Sequence, residues 1–363
     1  MKKFAHFVIR FRVWVVVFSL LITALMAFFL KDIKINPDIT TYLPESDSAV
    51  ARFNYIGKNY SSNAMAIIIV EAEKDVFTAE TLQHINDITS GLKLLSGVDY
   101  VTSITNILDI KKTEDGLDIG KLIDENNLPK TAEQSKKIKD YTLSKSLYKG
   151  RFVSADSKFT VIICKLNSGC DKNAVTENIR QFVKSKNLPE KFYFEGMPFQ
   201  LLSIVDFVVK DLVLLTPLII LVIAFILFLS FRSFRGIIVP IIAVAMGIIW
   251  CMGLMSIFGI QLSPISDAIP VVLFAVGSAY GIHVYNRYRI VVRLPENKLK
   301  LCAESLDKVG VAVLLAGITT FMGFLSFVFG AYLNVILEFG IFSALGVIFI
   351  LLLSLTFIPA LLS

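Results

Sequence analysis

The 363-residue chain has only four cysteines and three histidines, and neither set has metal-ligand spacing. No C-x-x-C pair occurs, and His6, His84 and His283 lie far apart, so a zinc framework is excluded. There is no glycine-rich phosphate loop, so the chain does not hydrolyse ATP through that device, and no cofactor is indicated. Ser203 and Asp206 have no histidine at a workable position. They are read as part of a boundary helix, and no catalytic constellation emerges. A further absence concerns six long apolar blocks: none of them contains an Asp or Glu.

What is abundant is hydrophobicity, at 55% of residues with a mean hydropathy of +0.68. It is concentrated in an N-terminal block and in the chain beyond about residue 212. The blocks run Val13–Leu30, Leu212–Phe231, Ile237–Ile260, Ala268–Tyr285, Gly310–Phe329 and Phe339–Leu362. Each is long enough to cross a bilayer as a helix, which takes about 17–25 residues. The first follows a basic stretch, as a signal peptide would. Its apolar core exceeds the roughly 7–15 residues of such peptides and no clear cleavage site follows, so it reads as an uncleaved anchor.

The net charge of +6 sits at particular places. Between Lys31 and Asp211 there are 24 basic and 25 acidic residues. The remaining 12 basic residues flank the apolar blocks, at Lys2–Arg12, Arg232–Arg235 and Arg287–Lys308. A nucleic-acid binder would carry its positive charge on a folded face, and nucleic acid is excluded as a partner. The turns Gly259–Asp267 and Gly330–Glu338 carry no basic residue. The expected location is the inner (cytoplasmic) membrane, and the positive-inside rule then puts both chain ends in the cytoplasm and residues 31–211 outside, in the periplasm if the cell is Gram-negative. The expected organisation is 1–30, cytoplasmic end and first span; 31–211, an extracytoplasmic domain; and 212–363, spans two to six.

Within 31–211, Ala64–Glu71, Gly97–Thr102, Phe159–Leu166 and Lys191–Glu195 read as strands. Thr78 and Asp171 open two amphipathic helices between them. The order is βαββαβ, so the expected class is an α-helical polytopic membrane protein with a ferredoxin-like α+β outer domain. Leu108–Tyr148 is an insertion, with helix expected around Ile119–Glu125 and Ala132–Leu147. Cys164 and Cys170, six residues apart at a strand-to-helix junction, are spaced either to form a disulfide or to remain two free thiols.

Several motifs fall in order on these elements: Ile39–Pro44 (ITTYLP), Gly196-Met-Pro198 with Asp211-Leu212, Val276–Arg289 (VGSAYGIHVYNRYR), Gly317–Ser326 (GITTFMGFLS), Glu338–Gly346 (EFGIFSALG) and Pro359–Leu362. Together they resemble the N-terminal half of an RND-superfamily exporter of the MMPL branch, along nearly the whole chain. The resemblance implies secondary active export, driven by the proton-motive force, of a hydrophobic or lipidic substrate. It also implies a pseudo-two-fold assembly, so the expected partners are membrane lipids, that substrate, and a second half. The second half could be a C-terminal segment, a separate chain or another copy. A non-transporting regulator or scaffold with this fold, and a Sec-type translocation helper, are the competing readings.

Proton-driven members of that branch commonly carry Asp-Tyr in the fourth span, where this chain has Ala279-Tyr280. His283 lies one turn beyond Ala279 on the same face, with Asn286 next. An intramembrane ionisable group is costly and its side chain is a functional candidate, and histidine titrates in the physiological range. His283 is therefore read either as a relay or as a neutral side chain bonded to another helix. Tyr280 either lines the relay or packs. Thr319 and Thr320 on the fifth span either face the relay or serve as small polar packing contacts beside Gly317 and Gly323.

Overall fold

The computed structural model describes residues 2–60, 62–113, 116–167, 169–291 and 298–363. It is mostly helical and divides into two compact units, Met1–Asp47 with Ile204–Ser363 and, between them in sequence, Ser48–Ser203. The helices are α1 (Lys2–Arg10), α2 (Arg12–Phe29), α3 (Ser48–Tyr60), α4 (Ala79–Lys93), α5 (Ala132–Ser144), α6 (Lys172–Ser185), α7 (Met197–Phe231), α8 (Phe234–Ile257), α9 (Ile269–Val291), α10 (Lys298–Leu325), α11 (Phe327–Gly330), α12 (Asn334–Leu355) and α13 (Phe357–Leu362). The strands are β1 (Met65–Glu71), β2 (Val98–Thr102), β3 (Leu108–Thr113), β4 (Gly116–Lys121), β5 (Phe159–Leu166) and β6 (Lys191–Glu195).

Among the described residues, six helical segments are long and apolar enough to cross a membrane: Arg12–Asp32, Met197–Phe231, Phe234–Ile257, Ser266–Ile290, Val309–Gly330 and Asn334–Leu362. Five of the six apolar blocks of the sequence lie within them, and the third, Ile237–Ile260, runs three residues past its helix into the following turn. The helices form one bundle whose interior contains Val244, Cys251, Leu273, Val347 and Ile350. Small residues let the backbones approach. A Cβ on Gly247 or Gly277 would lie within 2.4 and 2.7 Å of Ile350, and one on Gly346 within 2.4 Å of Leu273. Of the two glycines expected to pack α10, Gly317 does so against Leu351, whereas Gly323 has nothing within 4 Å of its Cβ position. The indole of Trp250 donates to the Thr23 hydroxyl at 2.9 Å, and the Ser256 hydroxyl to the Phe29 carbonyl at 2.7 Å, which ties α8 to α2.

The two ends of the bundle differ in charge. At one end Arg12 donates to the Ser363 carbonyl, Tyr288 to the Leu362 carbonyl (2.9 Å) and Arg289 to the Phe231 carbonyl (3.2 Å). Arg232 in the turn and Arg235 in the first turn of α8 lie at this end. Arg293 lies outside the described residues. At the other end the segment after α2 pairs with the loop after α8: the Asn36 amide donates to the Leu262 carbonyl at 2.7 Å and the Leu262 amide to Lys34 at 2.8 Å. Asn334 donates to Leu43, and Tyr332 to Asp47. Asp38, Asp267 and Glu338 lie on the segments that meet at this second end.

In the unit Ser48–Ser203, a four-stranded antiparallel sheet has the order β2-β5-β1-β6. Strict alternation drives it: every second residue of β1 and β5 is buried. Thr78 and Asp171 cap α4 and α6 through their side chains, satisfying first-turn amides. From α4, Leu82, Ile85, Ile88 and Leu92 are fully buried in the same core as Ile68 and Ile162. Each such side chain contributes roughly 1.5–3 kcal/mol.

The insertion is partly different from expectation. α5 forms at Ala132–Ser144 with a capping box between Thr131 and Gln134. Ile119–Glu125 is not helical; residues up to Lys121 form the second strand of the β3–β4 hairpin, and a turn follows. Alternation of Leu117 and Ile119 with polar residues, and Gly116 at φ +145°, favour the hairpin over a helix. The disulfide allowed by the Cys164–Cys170 spacing is not formed. Cys164 points into the core from β5, opposite Ala66, where burial pushes its thiol pKa up to about 12. Cys170 sits in the turn before α6.

Candidate functional site

The candidate residues of the fourth and fifth spans are positioned by α9 and α10. α9 has two faces of unequal character. Leu273, Gly277, Tyr280, Gly281, Val284 and Tyr285 recur at helical spacing and are buried in the bundle. A Cβ on Gly281 would lie 2.6 Å from Pro240 of α8, so this face admits little but hydrogen at that point. The opposite edge carries Ala275, Ala279, His283 and Asn286, all exposed. The chain's own bundle thus leaves uncovered the edge on which the resemblance places a carboxylate, and His283 and Asn286 lie along it.

The structure therefore splits the candidate set. Ala279, His283 and Asn286 share one exposed edge. Tyr280 turns the other way and is 4% exposed, with its hydroxyl buried and lacking a well-aligned hydrogen bond. The Thr320 hydroxyl of α10 is its polar neighbour. Thr319 and Thr320 both donate back to the Ala316 carbonyl at 2.9 Å, which satisfies each hydroxyl within its own helix. Thr319 is exposed and Thr320 half-buried.

The basic end of α9 is anchored by a ring contact and two hydrogen bonds. The Tyr285 ring packs edge-on against Phe231 with centroids 4.9 Å apart, and Tyr288 and Arg289 bond to the carbonyls named above. These contacts fix the rotation of α9 and so the direction in which His283 faces. Motif spacing picked out His283 but not Tyr285 or Tyr288 as its anchors, because their partners lie on α7 and α13, remote in sequence.

The unit Ser48–Ser203 contains polar clusters that spacing could not reveal. The Asp109 carboxylate is 3% exposed and accepts from Tyr148 at 2.7 Å and from Tyr141 at 2.9 Å. Burial pushes its pKa up, but the two hydroxyls and the charges of Lys111 and Lys145 outweigh that and hold it below the usual carboxylate range. Burial, and then the same carboxylate, push the Tyr148 hydroxyl well above its ordinary value. His84 contacts buried Glu190 through Nδ1 at 2.9 Å, and Lys139 pairs with Asp75 at 2.6 Å, fastening α5 to the sheet domain. No group of three or more metal-ligating side chains occurs among the described residues.

These features can be set beside known proteins. A protein of Methanocaldococcus jannaschii whose name goes no further than membrane protein is 23% identical over 377 residues, covering 99% of this chain and 92% of that protein. With 8% of its length outside the match (100 − 92), that relative has no room for a second six-helix half. The MMPL family matches residues 40–363, a stretch that includes the whole of the unit Ser48–Ser203 and five of the six candidate spans. The chain is a multi-span membrane protein and belongs to the MMPL family.

Proposed function

We propose that the chain is one half of an RND-type secondary exporter for hydrophobic or lipidic substrates, and that its coupling site is completed across the exposed edge of α9. The observation that carries this is the uncovered row Ala279, His283 and Asn286. A histidine and an amide facing hydrocarbon are costly, and such groups normally face a partner helix or a water-filled path. A facing half would cover them. The length of the archaeal relative supports a second copy of the chain as that half. His283 would hold or pass the proton, Asn286 would extend the polar path, and Tyr280 with Thr320 would stiffen the helix behind it.

In this reading the arginine-rich end of the bundle is cytoplasmic. The near-neutral charge of residues 31–211, against basic residues gathered at the other loops, supports an extracytoplasmic location for Ser48–Ser203. The strand order β2-β5-β1-β6 with α4 and α6 as crossovers supports a ferredoxin-like porter unit there.

A second reading has one observation in its favour: Ala279 removes the carboxylate, which suits a non-transporting regulator of the same fold. One experiment separates the two. The protein is reconstituted in vesicles, a pH gradient is imposed, and proton flux is compared between the parent and His283→Ala. In parallel, Ala279→Cys is oxidised and examined for a cross-linked dimer. Export through a two-copy site predicts flux that falls in His283→Ala and a cross-link at position 279. Absence of flux from the parent supports the regulator, and unchanged flux in His283→Ala removes that residue from the mechanism.

A further inference from the structure

α1 is a nine-residue helix with two distinct sides. Ala5, Val8 and Ile9 are buried, and Ala5 and Ile9 join the bundle core that includes Leu306 and Val313 of α10. The other side presents Lys3, His6 and Arg10 at i, i+3 and i+7, interleaved with Phe7 and then Phe11, which follows the helix. The two phenyl rings pack with centroids 5.0 Å apart, and the Arg10 guanidinium lies 5.8 Å from the Phe11 ring centre. Lys3, His6, Phe7, Arg10 and Phe11 line a cavity of about 410 Å³, within the roughly 300–1,000 Å³ of small-ligand sites. No acidic residue occurs before Asp32, so Lys3 and Arg10 have no carboxylate on their own segment.

Lysine and arginine beside exposed phenylalanines on a short amphipathic helix are the chemistry of a membrane boundary: the rings enter the acyl region and the cations reach phosphates. We propose that this outward face of α1 is a docking site for the headgroup phosphate of an anionic phospholipid. The phosphate lies between Lys3 and Arg10, and the glycerol and upper acyl chain rest on Phe7 and Phe11. The occupant is a lipid and not a soluble anion, because two of the five lining residues are exposed aromatic rings that a free phosphate would leave in water. This inference is independent of transport.

The test uses the full chain in detergent and measures retention of phosphatidylglycerol and phosphatidylcholine by native mass spectrometry. The parent is expected to retain phosphatidylglycerol over phosphatidylcholine. K3Q/R10Q is expected to lose roughly twenty-fold or more in phosphatidylglycerol affinity at low salt, about five-fold for each base, with phosphatidylcholine unchanged. K3R/R10K should keep most of the preference, and R235Q, which removes a base from the same end of the bundle, should leave it intact. Retention of phosphatidylglycerol by K3Q/R10Q at the parent's level overturns the assignment. So does an equal loss in R235Q, which would make the preference a property of general basicity. Displacement of the lipid by millimolar inorganic phosphate would likewise overturn it, as a simple anion site.

Discussion

Replacing Gly196 with alanine gives a sharp test of how the sheet unit is closed. Gly196 follows β6 directly, at φ +94°, and an added Cβ would lie 2.4 Å from the backbone oxygen of Met65 on the neighbouring strand β1. A left-handed conformation costs a non-glycine residue about 1–2 kcal/mol. Forcing a methyl group against a backbone atom that cannot rotate away adds about 1–3 kcal/mol. The expected loss is about 3 kcal/mol. Gly150 provides the control: it also has positive φ, at +77°, but nothing lies within 4 Å of its Cβ position. Its alanine variant should lose only about 1 kcal/mol. Cys164 reports the opening of this unit, since its sulfur is fully buried in the sheet core. Labelling by a thiol reagent, read on the Cys164 peptide by mass spectrometry, follows the open population when closing is fast. Gly196→Ala should label on the order of 150-fold faster than the parent, and Gly150→Ala about five-fold faster. Equal rates in the two variants would show that the approach to Met65 carries no energy and would refute the steric reasoning.

Two further outcomes concern polar contacts. Tyr148→Phe withdraws a hydrogen bond from the buried Asp109 carboxylate and should cost about 1.5–3 kcal/mol, measured by thermal unfolding at neutral pH. Because the folded pKa of Asp109 is depressed, its contribution is fully present above the unfolded value of about 3.9 and is lost as pH falls through the lower folded value. Asp109→Asn should therefore flatten the acid limb of the stability profile below about pH 4, and an unchanged limb would contradict this. In the bundle, Thr23→Val removes the acceptor for Trp250, and a double-mutant cycle with Trp250→Phe should give a coupling of about 0.6 kcal/mol, with about 1.7 as the ceiling, from thermal unfolding in detergent.

The spans were legible in the sequence because their unbroken apolar runs are long enough to cross a bilayer, and the four-stranded sheet because the alternation of its apolar residues records which face must avoid water. β5 and β6 coincide with the alternating runs, and Thr78 and Asp171 mark where helices begin. The β3–β4 hairpin escaped because it has no such surface. Leu108, Ile110, Leu117 and Ile119 are each more than half exposed, so no buried face imposed a continuous pattern. Gly116 at its turn was the available signal. Helix α3 was missed for a similar reason, since Val50 and Gly57 are its only buried residues. At the candidate site, the sequence placed Ala279, His283 and Asn286 on one edge. It could not show that this edge faces away from the bundle, because that depends on how α9 is rotated by Tyr285, Tyr288 and Arg289 against distant partners.

The spans carry their formal charges only near their ends; from Val13 to Leu30, Leu212 to Phe231, Gly236 to Ile265, Ala268 to Asn286, Val309 to Leu337 and Phe339 to Ser363 there is no lysine, arginine, aspartate or glutamate. An electric field across the bilayer performs about 2.3 kcal/mol of work per elementary charge carried through 100 mV, and on a neutral rod it performs almost none. Helices of this composition can tilt or slide with little gating current. Any voltage sensitivity of the assembly must enter with a mobile ion, with a protonated imidazole, or with charges that some other chain brings to the interface.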